Sequence, residues 1–193
     1  MKPFLIGLCG FSGAGKSTLA EHLEAQGGVK RFRMDAYYKD EDECPKVDSQ
    51  IHWDLPESLH LDQMITALGE LSVGHEILMP IYNRGLNKKT GQMIFSPSPV
   101  IFTEGLMLFS DPQIRDFFDL RLWLDVSEET ALERRLQRQP DYDLDYYRRY
   151  ALPGARAHVA PHRLHAQKII DGSQSIKEVA EQTDFIIRKY LGL

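Results

Sequence analysis

The first residues suited to chemistry are Gly10-Phe11-Ser12-Gly13-Ala14-Gly15-Lys16-Ser17, a G-x-x-x-x-G-K-S string. An apolar run, Phe4-Leu5-Ile6-Gly7-Leu8-Cys9, precedes it, and Thr18-Leu19-Ala20-Glu21-His22-Leu23 follows with helical spacing. Strand, glycine-rich loop and helix in that order are what a phosphate-binding loop requires. Glycines let the backbone curl until the N–H groups from Gly10 through Ser12, Gly13, Ala14 and Gly15 to Thr18 surround phosphate oxygens. The helix adds the positive end of its dipole. Lys16 has the reach for the β- and γ-phosphates, and Ser17 can place a hydroxyl on Mg²⁺. A glycine-rich turn with a chance lysine is the competing interpretation, and the flanking strand and helix disfavour it. A bound nucleoside triphosphate is expected.

Two carboxylates extend this chemistry. Asp35 is expected at the end of a second strand, Val29 to Met34, where it can act as a base on an acceptor or serve as a turn or cap aspartate. Glu104 closes the apolar strand Val100-Ile101-Phe102-Thr103. A carboxylate there needs a partner, either Mg²⁺ shared with Ser17 or a structural ion pair. Arg134, Arg135 and Arg138 share a helix, with Arg134 and Arg138 on one face. They are either cations that close over phosphates or solvated surface residues. His158, His162 and His165 have ligand-like spacing, but Pro161 interrupts the helix that would align them, so surface histidines are expected.

These residues need strands that end side by side. Strand and helix patterns alternate along the chain, which predicts an α/β fold with a mostly parallel sheet and a site at the strand carboxyl ends. A helix from Lys16 to about Gln26 stops at Gly27-Gly28. Tyr37 to Glu57 reads as a polar loop. Pro56-Glu57-Ser58 is expected to start a helix with Leu59, Met64, Ile65, Leu68 and Leu71 on its apolar face. Ile77 to Pro80 reads as a short edge piece, and Tyr82 to Pro99 as a loop with a small hairpin around Lys89-Thr90-Gly91. Further elements are a short helix at 111–117, a strand at 120–125, a helix from Ser127 to Gln139, helices either side of Pro153-Gly154, a strand at 168–170 and a closing helix from Ser175 to Tyr190.

At 193 residues one domain over 1–193 is expected. A formal net charge of −5 argues against nucleic acid as a partner. The two cysteines, Cys9 and Cys44, suggest neither a disulfide framework nor a zinc site. A cytoplasmic setting with no signal peptide and no membrane span is expected.

With these residues in place, the chain resembles the uridine kinase and phosphoribulokinase family of P-loop small-molecule kinases. Met34-Asp35-Ala36-Tyr37-Tyr38-Lys39 is similar to the family's aspartate-aromatic-lysine motif, and the resemblance implies that Asp35 is the base and that Tyr38 lies beside the acceptor. His52-Trp53-Asp54-Leu55-Pro56-Glu57 resembles the segment whose aspartate holds ribose hydroxyls, here Asp54. Pro80-Ile81-Tyr82-Asn83 is similar to the stretch bordering the nucleoside base, and Thr103-Glu104-Gly105 to the segment supplying the Mg²⁺ carboxylate. Arg135 and Arg138 match arginines on the lid side. The implied fold is the P-loop nucleoside triphosphate hydrolase type, with an acceptor-binding insertion at about 37–99 and a lid at about 134–150. The implied activity is transfer of phosphoryl from ATP, with Mg²⁺, to a hydroxyl of a nucleoside-like acceptor; a homo-oligomer is left open.

The departures lie on the acceptor side. Arg84 stands where an aromatic is common, Asn87 where a histidine is usual, and the lid reads Gln139-Pro140-Asp141-Tyr142-Asp143 instead of Arg-Gly-Arg. Nicotinamide riboside, pantothenate or a sugar phosphate are therefore alternative acceptors. Trp53 is placed either to stack on a base, as in the related nicotinamide riboside kinases, or to pack beneath its loop. A GTPase-type switch is disfavoured, because Asn87-Lys88-Lys89-Thr90 lacks the aspartate of a guanine motif.

Overall fold

The structure, a computed structural model, describes residues 2–193. Strand β1 (Phe4–Cys9) runs into the glycine-rich loop and helix α1 (Lys16–Ala25). Strand β2 (Lys30–Arg33) ends in a 3₁₀ turn, Met34–Tyr37, that carries Asp35. A small ribbon, β3 (Lys46–Val47) and β4 (Gln50–Ile51), precedes a second 3₁₀ turn at Pro56–Ser58 and helix α2 (Leu61–Ser72). Next come β5 (Ile77–Asn83) and β6 (Lys88–Phe95), then β7 (Val100–Glu104), α3 (Pro112–Asp116), β8 (Leu120–Asp125) and α4 (Glu128–Arg138). The chain then forms α5 (Leu144–Tyr146), a π segment (Tyr147–Ala151), α6 (Leu152–His158), a 3₁₀ stretch (Ala160–His165), β9 (Lys168–Asp171) and α7 (Ile176–Leu191).

Five strands form one sheet in the order β2-β7-β1-β8-β9, and every pairing is parallel. Successive residues of a strand face opposite sides. Thus Leu5 and Cys9 of β1 join the core on one face, with Met64, Leu68 and Leu71 of α2. Ile6 and Leu8 join the other, with Leu19 and Leu23 of α1 and Val179 and Ile187 of α7. Burial on both faces explains why these strands read as apolar runs. The helix ends follow local chemistry: Ser127 accepts from the Thr130 N–H, Asp111 from those of Gln113 and Ile114, and Ser175 and Glu178 form a capping box.

Three expectations need correction. Pro56–Ser58 does not begin α2: Leu59 is extended (φ −119°, ψ 147°) and bridges Tyr38, so the helix starts at Leu61. The hairpin is longer than expected and turns elsewhere. Strand β5 pairs with β6 from Ile77↔Phe95 to Asn83↔Lys88, placing the turn at residues 84–87. Gly91 marks an irregularity between Ile81 and Tyr82 instead of the turn, and Pro80 fits because the ribbon has only two strands. Finally, the helices around Pro153 are continuous. The Leu152 N–H reaches back five residues to the Tyr147 carbonyl, and this wider π turn accommodates a proline with no N–H to donate.

Candidate active site

The sheet order decides what meets what. Because β7 lies between β2 and β1, Glu104 at its end is flanked by the turn carrying Asp35 and by the loop after β1. Gly13 (φ 93°) and Gly15 (φ 102°) have left-handed backbones. A Cβ on Gly13 would run into the Ala131 carbonyl of α4, so the loop passes directly beneath that helix. Lys16 is only 8% exposed. Its Nζ donates to the Gly10 and Phe11 carbonyls, each at 2.9 Å. Burial pushes the Lys16 pKa down, and the negative charge of Glu104 is the largest opposing influence.

Ser17 Oγ lies 3.2 Å from both carboxylate oxygens of Glu104. Glu104 also has a resident cation: Arg31 Nη2 donates to its Oε1 at 2.6 Å and Nε at 3.2 Å. The ion pair that stood as the alternative to Mg²⁺ for Glu104 is therefore present. Oε2 has Ser17 as its one partner among the described residues. That oxygen and the serine hydroxyl are hard donors of the kind Mg²⁺ takes, so the residues fit the ion. Among the described residues, no three His, Cys, Asp or Glu side chains group to hold a metal. His158, His162 and His165 follow this: the last two stack at 5.6 Å between ring centroids, without forming such a group.

A cleft of about 1140 Å³ runs from the loop across these strand ends. Ser12, Gly13, Gly15, Lys16, Ser17 and Thr18 line one end, with Asp35 and Glu104 beyond them. Gly10 and Ala14 are not in the lining; they contribute from behind, through their carbonyls. The far end holds Tyr38, Trp53, Tyr82, Arg84 and Asn87, together with Asp54. Tyr38 meets Trp53 edge-on, at 6.0 Å between centroids, and Tyr82 at 5.9 Å. Trp53 thus belongs to an aromatic wall of the cleft. Arg84 Nη2 donates to Asp35 Oδ2, and Asp35 Oδ1 has no partner among the described residues. Asn87 is tied to the loop after β2, its Nδ2 donating to Glu41 Oε2 at 2.8 Å.

Helix α4 forms the roof. Arg135 stacks on the Tyr142 ring at 4.1 Å, and its Nε is buried without a partner among the described residues. Arg138 has its pKa held below the ordinary value by burial, then by the charges of Arg84 and Arg135, which places these guanidiniums around one space. Three contributors were not singled out for these contacts from the sequence. Arg134 Nη1 donates to the Ala14 carbonyl at 3.1 Å, making it the arginine bonded to the loop itself. Arg31 holds Glu104. Tyr146 bonds Asp54 from 92 residues away. Arg31 could have been found as the cation alternating with buried Phe32, whereas nothing local announces Tyr146.

Known proteins resemble this chain in sequence and fold. Uridine kinase of Brevibacillus brevis is 33% identical over 141 residues, covering 70% of this chain and 66% of that protein. Uridine kinase of Leuconostoc citreum is 30% identical over 148 residues, covering 73% and 70%. The matched stretch thus spans about two thirds of these relatives' lengths. A solved structure from Silicibacter sp. TM1040, provisionally named a fructose transport system kinase, superposes with a TM-score of 0.69 at 22% identity, over 87% of this chain and 89% of that one. The last likeness concerns the fold alone. Together with the loop and sheet order, these similarities define a P-loop kinase, a phosphotransferase acting on a hydroxyl group. The model of the phosphoribulokinase / uridine kinase family matches residues 5–143, and the chain belongs to that family. No helix among the described residues is long and apolar enough to cross a membrane, and Cys9 and Cys44 are free and buried.

Proposed function

We propose that the protein transfers the γ-phosphoryl group of ATP to a hydroxyl of a nucleoside or similar ribosyl small molecule. One observation carries this reading: Asp35 and Glu104 lie on neighbouring strand ends beside the phosphate loop, and Asp54 lines the same cleft. Residues about 37–99 form the acceptor side in this reading, and about 134–150 a lid. Lys16 and the loop N–H groups hold the triphosphate. Ser17 and Glu104 hold Mg²⁺, which neutralises phosphate charge when bound. Asp35 accepts the acceptor's hydroxyl proton at Oδ1 while Arg84 retains Oδ2. The acceptor oxygen then bonds to the γ-phosphorus, the bond to the β,γ-bridging oxygen breaks, and ADP leaves. Arg135 and Arg138 stabilise charge on the transferring group, and Asp54 accepts from sugar hydroxyls.

An Asp35→Asn variant tests the assignment. Loss of a positioned base lowers turnover by about 10²–10⁴-fold, while ATP binding, read by thermal shift, stays near wild type. Near-normal transfer by the variant would remove Asp35 from the role. Arg84 favours one second reading, an acceptor that carries a phosphate or carboxylate, such as a sugar phosphate or pantothenate. Its guanidinium already binds a carboxylate at the acceptor end of the cleft.

A further inference from the structure

The Tyr146 hydroxyl joins two parts of the acceptor loop. It accepts from the Trp53 main-chain N–H at 3.1 Å and donates to Asp54 Oδ2 at 3.1 Å. Asp54 is only 5% exposed, so a carboxylate there is costly unless its oxygens are satisfied. Tyr146 satisfies Oδ2, and Oδ1 has no partner among the described residues. The tyrosine comes from the helix that follows the roof, and that helix is fitted to this loop along its length. One turn on, the Tyr150 ring lies 5.7 Å from the His52 ring and its hydroxyl donates to Asp48 Oδ2 at 3.2 Å. One turn further, Gly154 touches the loop so closely that a Cβ would stand 3.0 Å from the Asp54 carbonyl oxygen and 3.0 Å from His52 Cε1. Residues 146, 150 and 154, spaced by four, therefore seat one helix on residues 48–54. The π segment between them keeps the helix continuous up to Pro153.

We propose that Tyr146 is a positioning residue for acceptor recognition: its hydroxyl fixes one oxygen of Asp54 and thereby orients the other toward a hydroxyl of the acceptor. The kinetic part of this inference rests on the proposed ribosyl acceptor; the geometric part does not. The rival role for Tyr146 is packing alone, in which the ring matters and the hydroxyl does not. The two differ in what Tyr146→Phe does, since phenylalanine keeps the ring. Positioning predicts an acceptor KM raised roughly tenfold, as for a lost hydrogen bond to a charged group. Turnover then stays within about twofold and the ATP KM is unchanged, the pattern of lost ground-state binding. Packing alone predicts that Tyr146→Phe, which keeps the ring, leaves both Tm and acceptor KM near wild type, and an unchanged KM would overturn the proposal.

A second measurement needs no substrate. The groups facing Asp54 are Arg135, Tyr146 and His52; burial raises its pKa, and these three oppose that. Removing the Tyr146 hydroxyl takes away a bond that favours the charged form, so the carboxyl titration of Asp54, followed by carbon NMR, moves upward in Tyr146→Phe. An unmoved midpoint would contradict the proposal whatever the substrate proves to be. Gly154→Ala supplies an independent variant that keeps the hydroxyl but lifts the helix from the loop. It raises the acceptor KM in the same direction, and an unchanged KM there would count against the seating of this helix. If wild type phosphorylates no ribosyl compound, the functional reading fails, and the Asp54 titration still decides the role of Tyr146.

Discussion

Glu104 is held by two partners with different consequences. Arg31 neutralises Oε1, and among the described residues Ser17 alone touches Oε2. Glu104 is 2% exposed, so removing its cation strands a buried charge. Arg31→Ala is expected to destabilise the protein by about 3 kcal/mol, read by denaturant unfolding. Adding Glu104→Gln should recover part of that loss, since the stranded charge is gone; a double variant no more stable than Arg31→Ala would contradict the pairing. The cost of a carboxylate at a buried strand end made a partner for Glu104 legible in the sequence. The sequence alone could not choose between a metal and an arginine, and the structure shows donors suited to both. Asp35 was equally legible as a strand-end carboxylate. Its pairing with Arg84 was not, because the two are 49 residues apart and meet through a hairpin turn at residues 84–87 that carries no strong turn signal.

At the scale of elements, the loop is sterically bound to α4. Gly13→Ala would force a strained backbone and a clash with the Ala131 carbonyl, costing ~2 kcal/mol or more. The expected signature is a lower Tm and loss of the thermal shift that ATP gives wild type; an intact nucleotide shift would show that the loop tolerates a Cβ. Another device fixes the far side of the sheet. At the end of β8, Asp125 accepts from Arg163 Nε at 3.2 Å and Nη2 at 3.1 Å, and from Trp123 Nε1 at 2.9 Å. Arg163 foremost holds the Asp125 pKa below its ordinary value. A depressed carboxyl stabilises the fold above the unfolded pKa, near 4, and that stabilisation is lost as pH falls through the folded value. Asp125→Asn should therefore flatten the decline of stability with acid below about pH 4. A decline as steep as that of wild type would remove Asp125 from the account.

Elements were legible where short-range pattern governs them. The five strands, α1 and the capped α4 and α7 follow from apolar runs and cap residues. The hairpin turn was missed because it lacks a glycine pair: Asn83 Oδ1 accepts from the Gly85 and Leu86 N–H groups, and Asn87 takes a left-handed φ of 48°. Gly91 gave the stronger turn signal but sits at the strand irregularity. Continuity through Pro153 was missed because a wider helical turn offsets the missing N–H, and a residue pattern does not reveal it.

At the scale of the molecule, one sheet divides two apolar layers and presents its carboxyl ends to one cleft. The loop end of the cleft is built from a contiguous string, which is why the sequence exposes it. The opposite end of the cleft is assembled from the β3–β4 ribbon, the β5–β6 hairpin and the helix carrying Tyr146, contacts that no local spacing encodes. The proposed function joins those ends, with the cleft moving a phosphoryl group onto a ribosyl hydroxyl. The most direct measurement is the mass of products formed from ATP and Mg²⁺ with single acceptors, namely nucleosides, nicotinamide riboside, pantothenate and sugar phosphates. The account predicts a monophosphorylated ribosyl product whose appearance matches ADP release. ADP release that proceeds at the same rate with every acceptor omitted, with no phosphorylated product, would contradict it.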